Sequence, residues 1–301
     1  RHPQGIYCEY DAVDEANQKN LGTLRLWDFT QCSDTRFQTE EGRREIAGRE
    51  QEVYHWLRDR EDEIERLLLT PKVEDPERSV RYWEVYDRRR RMLRLSDFSV
   101  SEARSLPPPD RIELARQLLA AVAALHRQDA AHLDLGGHSI WLETPTTVRL
   151  SHLLCARFPD VKSLGQNRFQ FLATRKLPED VHGEDAGPKR RDVFLAGVAI
   201  HSLLFGRLPS GEPYEWDPGV DTEKAFVSLH DWFANVLEID PSHRYDSAAA
   251  ALDAFNRATA AHPTHEEVLA GLDRFRGVIR SQMQLAAAYP VETLISQSDG
   301  K

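Results

Sequence analysis

The chain is poor in cysteine. Cys8, Cys32 and Cys155 are odd in number and widely spaced among 301 residues. This pattern excludes a disulfide framework and a cysteine-based zinc site, and it implies a reducing compartment. No apolar run approaches the ~20 residues needed to cross a bilayer, and the amino terminus lacks the apolar core of a signal peptide. No membrane association is indicated, and a cytoplasmic location is expected. Lysine is scarce, at seven residues, and 49 acidic side chains outweigh 39 basic ones to give a net charge of −10. That balance argues against a nonspecific nucleic-acid surface. The bias to Arg together with abundant Ala fits a GC-rich, bacterial coding sequence. With 41% hydrophobic residues, the chain can bury one large core or two lobes sharing a cleft. It opens at Arg1 and closes on the polar string SQSDGK, as an excised piece of a longer polypeptide would.

Patterning divides the chain. IYCEY (6–10) and LGTLRLWDF (21–29), separated by the turn-like DEANQKN, read as a hairpin, and SVRYWEVYD (79–87) reads as a further strand. Thr39 to about Leu67, rich in Glu, Arg and Leu, reads as a helix. After the proline-rich LPPPD (106–110), Ile112, Ala115, Leu118, Leu119, Val122 and Leu125 recur at helical spacing, with Asp110 placed as a cap. DVFLAGVAIHSLLFG (192–206) is apolar nearly all round and closes on Gly206, as a buried core helix would. A last helix, 264–288, carries Val268, Leu272, Phe275, Ile279 and Met283 on one stripe. That stripe packs back on its own domain or docks another domain or protein.

Five segments of the second half, in order and spacing, resemble the eukaryotic-like protein kinase family. HLDLGGHS resembles the catalytic loop H-R-D-L-x-x-x-N, with Asp134 at the catalytic aspartate and Ser139 at the metal-binding asparagine. VRLSHLL follows the short hairpin ETPTT and resembles the strand entering D-F-G. KLPE (176–179) resembles A-P-E, the 192–206 helix resembles the central helix of the large lobe with its buried aspartate at Asp192, and EIDPSHRY places Arg244 at the arginine that pairs with Glu179. In the first half, GTLRLWDF resembles the V-A-I-K strand with Arg25 at the lysine, and REQEVYHWL resembles the αC helix with Glu50 at its partner. The phosphate-covering glycine motif is absent, with Gly5 at most its last member. The resemblance implies an α+β, bilobal, kinase-like fold. Residues 1–87 would form the β-rich small lobe, residues 88–262 the mostly helical large lobe, and residues 263–301 a helical extension or linker.

The departures from the pattern bear on chemistry. Kinase phosphoryl transfer depends on magnesium held by hard oxygen ligands. Here the D-F-G aspartate position is His152, the asparagine position is Ser139, and the loop lysine position is Gly136. Arg25 keeps a charge but carries a larger, planar head, and could pair with Glu50 as a structural bridge. Thr23 and Trp141 stand where small and leucine-like residues sandwich adenine. The indole is expected to fill or narrow that space, unless it turns outward. Asp134, lacking metal and positioned phosphate, reads as a hydrogen-bonding partner of loop backbone, and His132, Glu179, Asp192 and Arg244 read as fold-keeping residues. His132, His138 and His152 as a zinc site is disfavoured because the fold is expected to separate them. The basic runs RRRR (88–91) and GPKRR (187–191) read as solvated, salt-bridged loops, with grip on a phosphate or an acidic partner as the alternative.

The expectation is a pseudokinase without cofactor or metal, acting on other domains of its polypeptide or on a protein partner, possibly through helix 264–288. The alternatives are a metal-independent kinase or nucleotidyl transferase using Asp134, and a nucleotide-sensing module.

Overall fold

The structure, a computed structural model, describes residues 2–260 apart from 4, 14, 16–19, 32–33, 61–67, 69–70, 75–82, 88–91, 99, 144–146, 160–163, 165–167, 183–185, 213 and 218–223. The described chain lies in one compact unit, Arg1–Thr259. Its small lobe is built on an antiparallel hairpin, β1 (Tyr7–Val13) and β2 (Asn20–Trp27), with Glu9 directly opposite Arg25. β1 runs past the expected Tyr10 to Val13, β2 begins one residue early at Asn20, and Phe29 opens a 3₁₀ turn instead of ending β2. β3 (Pro71–Glu74) and β4 (Trp83–Asp87) complete the sheet in the order β1-β2-β4-β3. Residues 79–82 of the expected strand lie outside the described residues.

Helix α1 (Glu40–Arg58) packs beside β3 of this sheet. Thr39 caps it by accepting the Gly42 N–H at 3.1 Å, and Glu40 and Glu41 favour the positive end of the helix dipole. Ile46, Val53, Tyr54 and Leu57 form its buried stripe. The helix stops at Arg58 rather than near Leu67. Arg58, Asp59 and Arg60 are exposed and charged and bring no apolar face to the sheet, residues 61–67 of the expected helix lie outside the described residues, and Leu68 makes a bridge to Leu150.

The large lobe begins with the three-stranded sheet β5 (Met92–Arg94), β6 (Ile140–Glu143) and β7 (Thr147–Leu150). The helices that follow β5 in the chain are α2 (Val100–Ser105), α3 (Pro108–Arg127), α4 (Arg168–Phe171), α5 (Pro178–His182), α6 (Pro188–Phe205), α7 (His230–Val236) and α8 (Ala248–Thr259). α3 starts before the expected cap: Pro107 is the N-cap and Asp110 sits inside the first turn. Prolines at the start of a helix forfeit no internal hydrogen bond, which explains the earlier start. α6 likewise begins at Pro188 and ends on Gly206, which takes a left-handed φ of 70°. It is buried on nearly every side. Gly197 is required where α6 meets the end of α7, because a Cβ there would lie 2.7 Å from Val236 Cγ2.

Glu179 and Arg244 tie the segment before α6 to the turn before α8. Arg244 donates Nη1 to Glu179 Oε1 and Nη2 to Oε2, both at 3.1 Å, and its Nε donates to the Glu238 carbonyl at 2.7 Å. Both side chains are buried. Since removing one member of a buried ion pair strands the other, Arg244→Ala should lower unfolding free energy by about 3–5 kcal/mol in urea titration, whereas a loss near 1 kcal/mol would show the bridge to be dispensable.

Candidate functional site: the interlobe cleft

The floor of the cleft is the loop His132–Ser139. Asp192 of α6 holds its start: Oδ2 accepts the His132 N–H and Oδ1 the Leu133 N–H, both at 2.7 Å. His126 completes the anchor. Its Nδ1 accepts the Ala248 N–H at 3.0 Å, so its Nε2 carries the proton and donates to Asp192 at 3.2 Å. His132 is buried and donates Nε2–H to the Ser151 carbonyl at 2.9 Å. These bonds hold Leu133 at a left-handed φ of 65°, a costly conformation for a side chain of this size.

Asp134 is fully committed. Its Oδ2 accepts the Ala173 N–H at 3.0 Å, and its Oδ1 accepts the Thr174 N–H at 2.9 Å and the Thr174 hydroxyl at 2.7 Å. These donors come from the segment beyond α4, not from Asp134's own loop. His138 Nε2 lies 3.2 Å from Oδ2, outside hydrogen-bond alignment. Burial alone pushes this carboxyl up, but His138 and the Ala173 and Thr174 donors hold it well below the usual carboxylate range. A carboxylate so stabilised has little basicity left for removing a substrate proton. Ser139 is turned inward: its hydroxyl accepts the Gly136 N–H at 2.9 Å and donates to loop carbonyls. At Gly136 a Cβ would meet the Thr174 methyl at 3.0 Å, so the loop closes where a longer side chain would stand.

The roof is β2 and α1. Arg25 is 1% exposed, and its Nη1 donates to Glu50 Oε2 at 2.9 Å. Glu50 Oε1 accepts the Leu153 N–H at 2.8 Å, and Arg49 donates to the carbonyls of Leu154 and Ala156 at 2.9 and 3.1 Å. α1 is therefore docked on the segment that follows His152.

Between roof and floor sits Glu9, a residue the sequence reading did not single out. Its Oε1 meets His152 Nε2 at 2.7 Å and Arg25 Nε at 3.5 Å, and its Oε2 meets Arg94 Nη1 at 2.6 Å. One carboxylate thus joins the hairpin, β5 and the D-F-G-like segment. Burial raises the Glu9 pKa, but His152, Arg25 and Arg94 together hold it well below the carboxylate range. His152 adopts φ 63° and is pushed down to about 3, first by burial and then by Arg25, so it is neutral near pH 7. The bonding sequence is consistent with a neutral ring: Trp141 Nε1–H donates to Ser151 Oγ at 2.8 Å, Ser151 donates to His152 Nδ1 at 2.5 Å, and His152 Nε2–H donates to Glu9.

The Trp141 indole points inward and is 1% exposed, packed with Met92, with the Arg94 guanidinium 4.5 Å above it. Thr23, on the same face of β2 as Arg25, is buried, and its hydroxyl has no hydrogen-bond partner among the described residues.

The structure brings Arg25, Glu50, Asp134, Ser139, Trp141 and His152 to one cleft, while Glu179 and Arg244 lie in the large lobe away from it. Separation of the histidines is only partly observed. His138 and His152 stack edge-on at 5.3 Å, against the expectation, because the left-handed turn at His152 aims its ring at the loop. His132 faces Ser151 instead, and among the described residues no group of three His, Cys, Asp or Glu side chains is arranged to hold a metal. GPKRR is salt-bridged: Lys189 to Asp129, Arg190 to Asp246, and Arg191, buried, to Asp180. RRRR (88–91) and helix 264–288 lie outside the described residues. Gly5, at a φ of 73°, belongs to a turn closed by its N–H to the His2 carbonyl at 2.8 Å. Glu9 was not legible in the sequence: its place opposite Arg25 follows from the register of the hairpin, which sets opposite charges face to face.

No family model matches the chain. Relatives include the STE20-related kinase adapter protein strd-1 of Caenorhabditis elegans, 29% identical over 174 residues that cover 44% of this chain and 44% of that protein. The serine/threonine-protein kinases PrkC of Bacillus subtilis (22% identical, 48% of this chain, 24% of that protein) and pkn2 of Myxococcus xanthus (29%, 52% and 21%) also match. The chain spans less than half the length of each of these curated relatives. Its structure is similar to that of a mutant PknI kinase domain of Mycobacterium tuberculosis, with a TM-score of 0.56 at 15% identity over 85% of this chain and 91% of that one. The chain is protein-kinase-like, with the bilobal kinase fold. No helix among the described residues is long and apolar enough to cross a membrane.

Glu9 also yields a stability prediction. Its pKa is depressed in the folded state, so its contribution is present above the unfolded value of about 4.5 and is lost as pH falls through the folded one. Glu9→Gln should cost about 2–4 kcal/mol at pH 7, since Arg25 and Arg94 lose a largely desolvated counter-ion, and the gap to the wild type should narrow below about pH 4.5 in urea titrations. A gap that is the same at pH 7 and pH 4 would contradict the assignment.

Proposed function

We propose that the chain is a catalytically silent, kinase-shaped domain, a pseudokinase, that regulates or binds other proteins and does not take Mg-ATP in the manner of the active family. The observation that carries this reading is Glu9. Together with Glu50, its carboxylate neutralises Arg25 and Arg94 in the cleft, and a polyphosphate approaching the same cations would meet a partly buried anion.

The residues at the metal-ligand positions do not suit the nucleotide's metal either. Magnesium needs hard oxygen ligands. At the two expected positions stand an imidazole with both nitrogens engaged and a hydroxyl bonded within its own loop. Trp141, buried beneath Arg94, supports the reading that it and Thr23 narrow the adenine space. The alternative transferase chemistry through Asp134 is disfavoured by the three donors on that carboxylate. His132, Glu179, Asp192 and Arg244 act in this reading as structural ties.

A relative named as a kinase adapter supports an interaction role. The partner is another domain of the same polypeptide or a separate protein in the cytoplasm, with 264–288 as the docking helix of an extension, 263–301, that follows lobes at 1–87 and 88–262. In thermal unfolding with 1 mM ATP, with magnesium or with EDTA, the midpoint should not move. A ligand with a Kd of about 0.1 mM would add about 1.4 kcal/mol, so a clear rise would contradict the closed cleft, and a rise that requires magnesium would reopen catalysis.

A further inference from the structure

Beside the loop His132–Ser139 the large lobe holds a cavity of about 420 Å³, at the lower end of the ~300–1,000 Å³ range of small-ligand pockets. Its walls come from four pieces of chain: the turn at 95–98, residues 135–138 of the loop, residues 173–177, and α6 with the stretch that follows it to Tyr214. Leu135, Leu195, Val198 and Ala199 give it a buried apolar lining, and Leu208, exposed, marks its open side. Gly136 and Gly137 add backbone without side chains, which keeps the space clear. A Cβ on Gly136 would lie 3.0 Å from the Thr174 methyl and 3.4 Å from His138 Nδ1, both of which line the cavity. Two contacts tie the walls to one another. Ser96 N–H donates to the Gly137 carbonyl at 2.9 Å, and Arg175, whose guanidinium lies 5.7 Å from the centre of the Tyr214 ring, donates Nη1 to Glu212 Oε1 at 2.6 Å. A cup so tied takes a compact ligand better than an extended chain.

The charge of the lining is one-sided. Arg175, Arg207 and His138 line the cup, and among the described residues no Asp or Glu does, although the chain carries 49 acidic side chains against 39 basic ones. Arg175 and Glu212 are both exposed, so solvent screens their pair and Glu212 is readily exchanged for another carboxylate. A purely apolar ligand would leave the cationic side unused, and a simple anion would leave the apolar lining wet. A molecule with both parts satisfies both. We propose that this cup binds an acyl carboxylate, a hydrocarbon chain of medium length packed on Leu195, Val198 and Ala199 with its carboxylate at Arg175 and Arg207. The site calls on none of Glu9, Arg25 or Glu50, so it can fail with the silent-domain reading intact.

Calorimetric titration of the whole chain at pH 7 with hexanoate, octanoate and decanoate, each below its micelle-forming concentration, tests it. Decanoate should bind once per chain, and affinity should rise about fourfold for each added methylene, the factor expected when each is buried in an apolar site. Decanol, with the same chain and no charge, should bind about tenfold more weakly, and the double variant Arg175→Ala, Arg207→Ala should erase that difference. Ala199→Leu, which fills the lining, should weaken both ligands at least about tenfold. Should Ala199→Leu fail to fold, Ser202→Leu blocks the same space from the next turn of α6 and is read in the same way. No saturable decanoate binding, an affinity indifferent to chain length, or binding that the filling variant leaves unchanged overturns the proposal. An acetylated Glu-Leu-Glu peptide serves as the probe for a protein segment, and its saturable binding in place of decanoate overturns the acyl ligand in favour of a docking protein.

Discussion

A carboxylate drawn largely out of water must find cations or donors, and in this chain one such carboxylate finds them in three separate elements. Glu9 projects from the hairpin into the space between the lobes, where Arg25, Arg94 and His152 converge on it. Because desolvating the group is expensive, the geometry is stable only while all three partners are in place. The position of α1 depends on the same node, since Arg25 shares its charge between Glu9 and Glu50, and Glu50 in turn holds the Leu153 amide. Closure of the cleft is thus a consequence of charge neutralisation as much as of apolar burial.

The large lobe shows how a kinase-like loop is held in place without any substrate. Asp192, His126 and His132 fix the backbone of the loop through bonds made entirely within the protein. Asp134, placed by that backbone, is claimed by Ala173 and Thr174. The hydroxyl of Ser139 serves the turn that follows. Asp134, Ser139 and His152 each have internal partners, which is how buried polarity is made tolerable.

Much of the fold was legible because its signals are local. Apolar spacing in 112–125, the all-round apolar run 193–205 and Gly206 follow from helix geometry alone, and the kinase-like motifs supply the order. Boundaries were less legible: helix α1 ends at Arg58, where the charged, exposed Arg58, Asp59 and Arg60 remove its buried face, and α3 starts on prolines that pattern reading treats as loop. Arg25 facing Glu50 and Glu179 facing Arg244 follow from the resemblance, since the fold dictates both meetings. Glu9, Arg94 and Ser151 were not legible, because their role depends on strand register and on lobe closure between residues up to 143 positions apart. The inward turn of Trp141 needed the same information.

The most direct test of the closed, Glu9-centred cleft is a crystal structure of the purified chain grown with millimolar ATP and magnesium. The account predicts the Glu9 carboxylate bonded to Arg25, Arg94 and His152, Trp141 packed under Arg94, and no nucleotide between the lobes. Density for a nucleotide in the cleft, with Glu9 displaced from Arg25, would contradict it.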